Sequence, residues 1–150
     1  MNNPANFLAL EGVLLARLAD QLADLSPRVH VLAAVDLAGV TEATQVTPAV
    51  HVVYQGYNPT ESRSDGSAAR IEQTWLVTVA TRNMSTLGTG KAARTDAGLI
   101  ARRVLKALMG YKPEPGSKPL RLTGGPGAGF NAGFQYLPMA FVAELVMDNT

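Results

Sequence analysis

Residues 70–82 read R-I-E-Q-T-W-L-V-T-V-A-T-R, and the alternation within this stretch decides the fold. Ile71, Gln73, Trp75, Val77 and Val79 fall on one side, while Glu72, Thr74, Thr78 and Arg82 fall on the other, with Leu76 and Ala80 among them. Period-two alternation in β-branched and aromatic residues predicts a strand with one face buried. The run is the longest of its kind in the chain and holds the only Trp, so a sheet should be centred on it.

Upstream, Pro48 opens a second strand over Ala49 to Gln55, where Val50, Val52 and Tyr54 alternate with His51 and Val53. Between the two strands lies Y-N-P-T-E-S-R-S-D-G-S-A-A, a stretch of turn formers with almost no apolar residue. Hairpin loops usually run about 2 to 5 residues. A connection this long predicts an extended hairpin arm over residues 56–69. The arm's polar composition predicts that it is mobile in a lone subunit and settles only against a partner.

Further out, Asn3 followed by Pro4 reads as an N-cap with proline in the first turn. Leu8, Leu15, Leu18, Leu22 and Leu25 recur at helical spacing up to the Ser26-Pro27 stop. A helix of about 20 residues would be about 30 Å long. A short strand is expected around Val29 to Ala33, followed by an irregular connection broken at Gly39. A second helix begins near Lys91, with an apolar stripe of Ala93, Ala97, Ile100, Val104, Ala107, Leu108 and Tyr111. Lys91, Arg94, Arg102, Arg103 and Lys106 gather on its other side, and Gly110 and Pro113 end it. Leu120 to Leu122 reads as a short strand and Phe134 to Val146 as the closing one. Pro138 cannot donate a ladder hydrogen bond, which predicts an edge position or a bulge there. Strands clustered rather than alternating with helices predict an α+β domain: a mostly antiparallel mixed sheet with two helices packed on one face. Residues 1–150 are expected to form a single domain of this kind.

Composition sets bounds on function. Hydrophobic residues make up 47% of the chain and charged residues 17%, which implies that a partner covers some apolar surface. The net charge of +1 gives no general pull toward nucleic acid or an acidic membrane. The absence of cysteine excludes disulfides, thiolate catalysis and thiolate metal sites. The first residues lack a basic signal-peptide region, and no run of about 18 apolar residues predicts a membrane span. Assembly in the cytoplasm is the expectation.

The segment G-G-P-G-A-G-F-N-A-G places Gly127, Gly129 and Ala132 in a G-x-G-x-x-A spacing. That fingerprint works only when a helix leaves it and an acidic residue follows about 20 residues on. Here a strand follows and the sequence is nearly over, so no cofactor-binding residue is assigned. His30 and His51, the two histidines, lie in apolar segments without acidic neighbours that would complete a metal site or a triad. Ser62, Ser64 and Ser67 have no positioned base beside them. No catalytic residue and no metal ligand is assigned. The basic helical face admits two readings, a solvated surface or contact with an acidic partner or DNA phosphates. Tyr57, Arg63, Arg70 and Arg82 along the arm and central strand join Arg94, Arg102, Arg103 and Lys106 as the candidate interaction residues.

The first helix, the Q-T-W-L-V-T-V-A-T-R-N strand, the A-A-R-T-D-A-G-L-I-A-R-R-V-L-K-A-L-M-G-Y-K-P helix and the closing F-N-A-G-F-Q-Y-L-P-M-A-F-V-A-E-L strand together resemble the tail terminator family of tailed bacteriophages, of the lambda type. The similarity covers nearly the whole chain and is one of element order and spacing, with no active-site motif. The resemblance implies a non-enzymatic virion protein at the head-proximal end of the tail. There it would form a ring with copies of itself, usually of six subunits, stop polymerisation of the tail tube protein and offer a surface to head-tail connector or neck proteins. DNA would pass through the ring without sequence-specific contact. Two alternatives stay open: a head-tail connector or neck protein of similar fold, and a small enzyme using the glycine-rich loop as a lid.

Overall fold

The computed structural model describes residues 1–82 and 91–150, with side chains described outside 91–95. In chain order the elements are α1 (Leu10–Gln21), β1 (His30–Ala33), α2 (Ala34–Leu37), a 3-10 turn (Glu42–Thr44), β2 (Ala49–Ser62), β3 (Ala68–Arg82), α3 (Lys91–Leu108), β4 (Arg121–Thr123), β5 (Gly129–Asn131) and β6 (Phe134–Asp148). The strands form one sheet in the order β1-β2-β3-β6-β4, with β5 also paired to β6. Among the strand pairs of the described residues, only β1–β2 is parallel. The class is α+β, with a mostly antiparallel mixed sheet.

β3 is the middle of this sheet and pairs with β6 over its whole length, from Ala68 opposite Asp148 to Arg82 opposite Phe134. Register aligns the apolar sets of neighbouring strands on one face, because side chains alternate strictly along each strand. One row runs Tyr54, Trp75, Phe141, Leu122 across four strands. Trp75 and Phe141 at its centre are fully buried. On this face lie α1, through Leu10, Leu14, Leu18 and Leu22, and α3, through Ala97, Ile100, Ala101, Val104, Ala107 and Leu108. Besides Thr81 near its end, that face of β3 carries one polar side chain, Gln73. It is fully buried and satisfied, donating to the Phe7 carbonyl at 2.7 Å and accepting from Trp75 Nε1 at 3.2 Å. A buried amide without such partners would cost about 1–3 kcal/mol.

Four sequence expectations change. The first helix starts at Leu10 rather than just after Asn3, and its 12 residues span about 18 Å. Asn3 has a positive φ of 46° and is held by the far end of the chain: its N–H bonds Val146 O at 2.6 Å and its amide bonds Asp148 at 2.8 Å. Asn6 instead organises the turn before the helix, accepting the Leu8 N–H at 2.8 Å. The buried stripe is correspondingly Leu10, Leu14, Leu18 and Leu22, while Leu8 is exposed. Second, the connection after β1 contains α2 and the 3-10 turn. Asp36 starts α2 by accepting the Ala33 N–H at 2.8 Å.

Third, β2 continues past Gln55 to Ser62. Register shifts between Tyr54 and Gly56 and between Pro59 and Glu61 absorb extra residues without ending the ladder. Fourth, β6 is an interior strand despite Pro138. β5 covers its free side over Phe134–Tyr136 and β4 over Ala140–Val142, leaving a local gap around the proline. A residue without an N–H is tolerated where no neighbour is waiting for it.

Candidate assembly surfaces

The two outer edges of the sheet differ. Along β6 the outer edge is closed piecewise by β5, by β4 and then by the first residues of the chain. There Met1 O accepts the Val146 N–H at 2.9 Å, and the Asn3 N–H returns to Val146 O. Along β2, β1 pairs only with Ala49–Val52. From Val53 onward no strand among the described residues pairs with that edge. Residues 58–66, which include the turn, are all exposed. An open ladder of N–H and C=O groups is a template for another strand.

The arm is built as a continuous two-stranded ribbon. Arg63 closes its tip, its N–H bonding Ala68 O at 2.9 Å and its carbonyl accepting the Gly66 N–H at 2.9 Å. Its side chain reaches Ser67 Oγ at 3.2 Å. Tyr57 is 60% exposed and rests edge-on against Phe7, with ring centroids 5.5 Å apart. On the face away from the helices, Arg70 binds Glu144 at 3.0 Å and Glu61 at 3.4 Å, while Arg121 binds Glu72 at 2.8 Å. Glu72 and Glu144 stand directly opposite each other in the register, so these cations relieve a like-charge pair.

The structure separates the residues of the basic helix. Arg103 turns toward α1, where it donates to the Gln21 carbonyl at 2.8 Å and to Asp24. That hydrogen bond holds the Asp24 carboxyl below its usual range. Arg17 of α1 answers from the other side, donating to the Ala107 carbonyl at 3.0 Å and lying 4.4 Å from the Tyr111 ring centroid. Each helix thus supplies an arginine to the C-terminal carbonyls of the other, where unpaired C=O groups and the helix dipole favour a cation. Arg102 and Lys106 are exposed and form no ion pair among the described residues. The side chains of Lys91 and Arg94, and the Ala93 expected on the apolar stripe, lie outside the described residues. Arg82 sits at the end of β3 with its guanidinium 4.9 Å from the Phe134 ring centroid. It also helps wall a cavity of about 610 Å³ with Leu25, Val29, Asp96 and Leu99.

Sequence reasoning missed a clasp at this same end of the sheet, beside Phe134. The Tyr136 hydroxyl donates to Glu42 at 2.7 Å and accepts from Gln45 Nε2 at 2.7 Å, and Asn131 donates to the other Glu42 oxygen at 3.0 Å. Burial and the Glu42 carboxylate raise the Tyr136 pKa. The clasp ties the β1–β2 connection across the sheet to β6. No local pattern marks it, because its members lie about ninety residues apart.

The glycine-rich stretch has a structural use here. Ala132 and Gly133, with φ of 53° and 86°, form the two-residue turn from β5 into β6. Gly125 passes so near β6 that a Cβ would lie 3.3 Å from the Ala140 nitrogen. A strand, not a helix, leaves the segment. His51 lies on the outer sheet face opposite Thr78, and its Nε2 is buried without a hydrogen-bond partner. Burial lowers its pKa from the ordinary 6.5. Among the described residues no cluster of three or more His, Cys, Asp or Glu is placed to hold a metal. No helix among them is long and apolar enough to cross a membrane.

Comparison with known proteins bears on this arrangement of edges and surfaces. The family profile of the phage tail terminator protein matches residues 5–150. The chain belongs to this family. As a family member it is a structural component of a phage tail. No curated protein sequence matches it. One solved structure superposes over 98% of this chain and 99% of its own, with a TM-score of 0.50 at 14% identity, which shows a shared fold.

Proposed function

We propose that this tail terminator caps the head-proximal end of the tail tube as a closed ring of its own copies, most simply six. The ring halts addition of tube subunits and offers its far side to the neck of the head. It works by occupying a surface, without catalysis and without a cofactor. The observation that carries this reading is the family match over residues 5–150. The fold supports it: one sheet edge is closed by short local segments, while the other is bare and continues into an exposed arm.

A ring needs two different complementary patches on each subunit rather than one self-complementary patch. The contrast between the two edges provides such unlike patches. Arg102 and Lys106 are the candidates for facing DNA in the lumen, because no carboxylate among the described residues neutralises them. Among the other nominated cations, Arg70 and Arg103 already serve carboxylates and a helix end within the subunit.

Electron microscopy of tails assembled with and without the protein tests the reading. Rings at one end of normal-length tails are the expected result when it is present, and overlong tubes when it is absent. Tails of normal length in its absence would refute the capping role.

A further inference from the structure

We propose that the bare edge of β2, from Val53 upward, pairs with the outer edge of β4 in a second copy of this chain, so that the sheet runs on from one subunit into the next. The inference rests on the ring proposed above and names the contact that would build it.

The sheet register supplies the first reason. The row through Tyr54, Trp75, Phe141 and Leu122 begins on β2 and ends on β4. β1 stops at Val52, just before the level at which β4 forms the opposite margin. The two free edges therefore lie at the same height along the sheet. A neighbour placed beside the subunit and shifted by about two residues along the strands sets Tyr57 and Asn58 of one copy beside Leu122 and Arg121 of the next.

The side chains supply the second reason. Tyr57 is in register with buried Gln73, and Leu122 with buried Phe141, so both project on the helix-bearing face. They are 60% and 44% exposed, large apolar residues left open at opposite margins of one face. On the other face the charges are opposite: Glu61, 73% exposed, on β2 and Arg121, 59% exposed, on β4. Their pairs within the subunit, to Arg70 and Glu72, are solvent-accessible and so hold weakly enough to be shared with a neighbour. The occupant is a second copy because it brings both the matching apolar residue and the opposite charge. Such an interface is head to tail and closes into a ring through the rotation between subunits.

The chain has no cysteine, so cross-linking begins from a silent background. The Tyr57→Cys and Leu122→Cys proteins are mixed, bound to tail tubes and treated with a short bis-maleimide. Asn58→Cys and Arg121→Cys serve as a second pair on the opposite face, in case either first variant is poorly folded by circular dichroism. A covalent dimer joining position 57 to 122, or 58 to 121, is expected in the mixtures and not with either variant alone. Tube-bound ring classes without either cross-link overturn the edge pairing and leave the capping role standing. Dimers of the 57-to-57 type also overturn it, because they show a self-complementary contact. If none of the proteins binds tubes, the capping role fails and the edge pairing falls with it.

Discussion

The two halves of the β2–β3 hairpin are made of the same two strands and face opposite fates. At the base, from Ala49 to Tyr54 and from Trp75 to Arg82, the ribbon has β1 on one side, β6 on the other and helices over one face. Val50, Val52, Trp75, Val77 and Val79 there are fully or almost fully buried. Toward the tip, β3 keeps its β6 partner while β2 has none on its outer edge among the described residues, and Asn58 to Ser62 are all exposed. The base is held by burial of apolar area, whereas the tip is held by backbone bonds and water-facing side chains. Burial concentrates stability in the first region, and the proposed contact with other subunits falls to the second.

Breaking the base should have the largest effect. Trp75→Ala removes the largest fully buried side chain and should cost about 3–5 kcal/mol, read as a loss of urea stability. Arg103→Met tests the helix clasp above the base. Loss of the bond to the Gln21 carbonyl should cost about 1 kcal/mol, since this guanidinium is partly exposed. Asp24→Asn should change stability less than Arg103→Met does. Because the Asp24 pKa is lowered, its contribution is present above the ordinary 3.8 and is lost as pH falls through its lower folded value.

His51 sharpens the comparison through acid. Its folded pKa is lowered, so below pH 6.5 the unfolded chain takes up a proton that the native site refuses. Thermal stability should be flat above that pH and decline below it, by at most about 1.4 kcal/mol per pH unit for one proton. His51→Leu should flatten that part of the decline; an unchanged slope would assign it to other groups.

The tip should show the smallest effect on folding. Thr60→Ala should change stability by less than about 0.5 kcal/mol. Amide exchange should be fast for edge-facing groups of residues 56–62 in the free protein and slow around Trp75. Shortening the arm over 56–69 should leave the melting curve nearly intact and yield overlong tails. Tails of normal length would separate the arm from capping.

Period-two and helical repeats in the sequence were enough to find β3, β6, α3 and the face each one buries. Those patterns arise from a strand or helix lying between one wet side and one dry side, and that condition is written along the chain. Leu10, Leu14 and Leu18 carry the same kind of signal, although a competing set of leucines obscured its phase. The extension of β2 was illegible because exposed strand residues such as Asn58, Glu61 and Ser62 have turn-like composition. Only pairing with β3 keeps them extended.

The sequence by itself determined the α+β class, the central Trp75 strand and the absence of thiol chemistry, because each depends on local pattern or composition. Tertiary structure alone decided that Asn3 joins β6 rather than capping a helix, that Arg17 and Arg103 serve each other's helices, and that Tyr136 meets Glu42. It also decided that β6 is closed piecewise along its outer edge while β2, among the described residues, is bare from Val53 onward. Each of these is a polar or edge contact between distant residues. Hydrogen bonds are short-ranged and directional, so their partners are set by where the packed core brings the chain together, and no repeat along the sequence encodes that meeting.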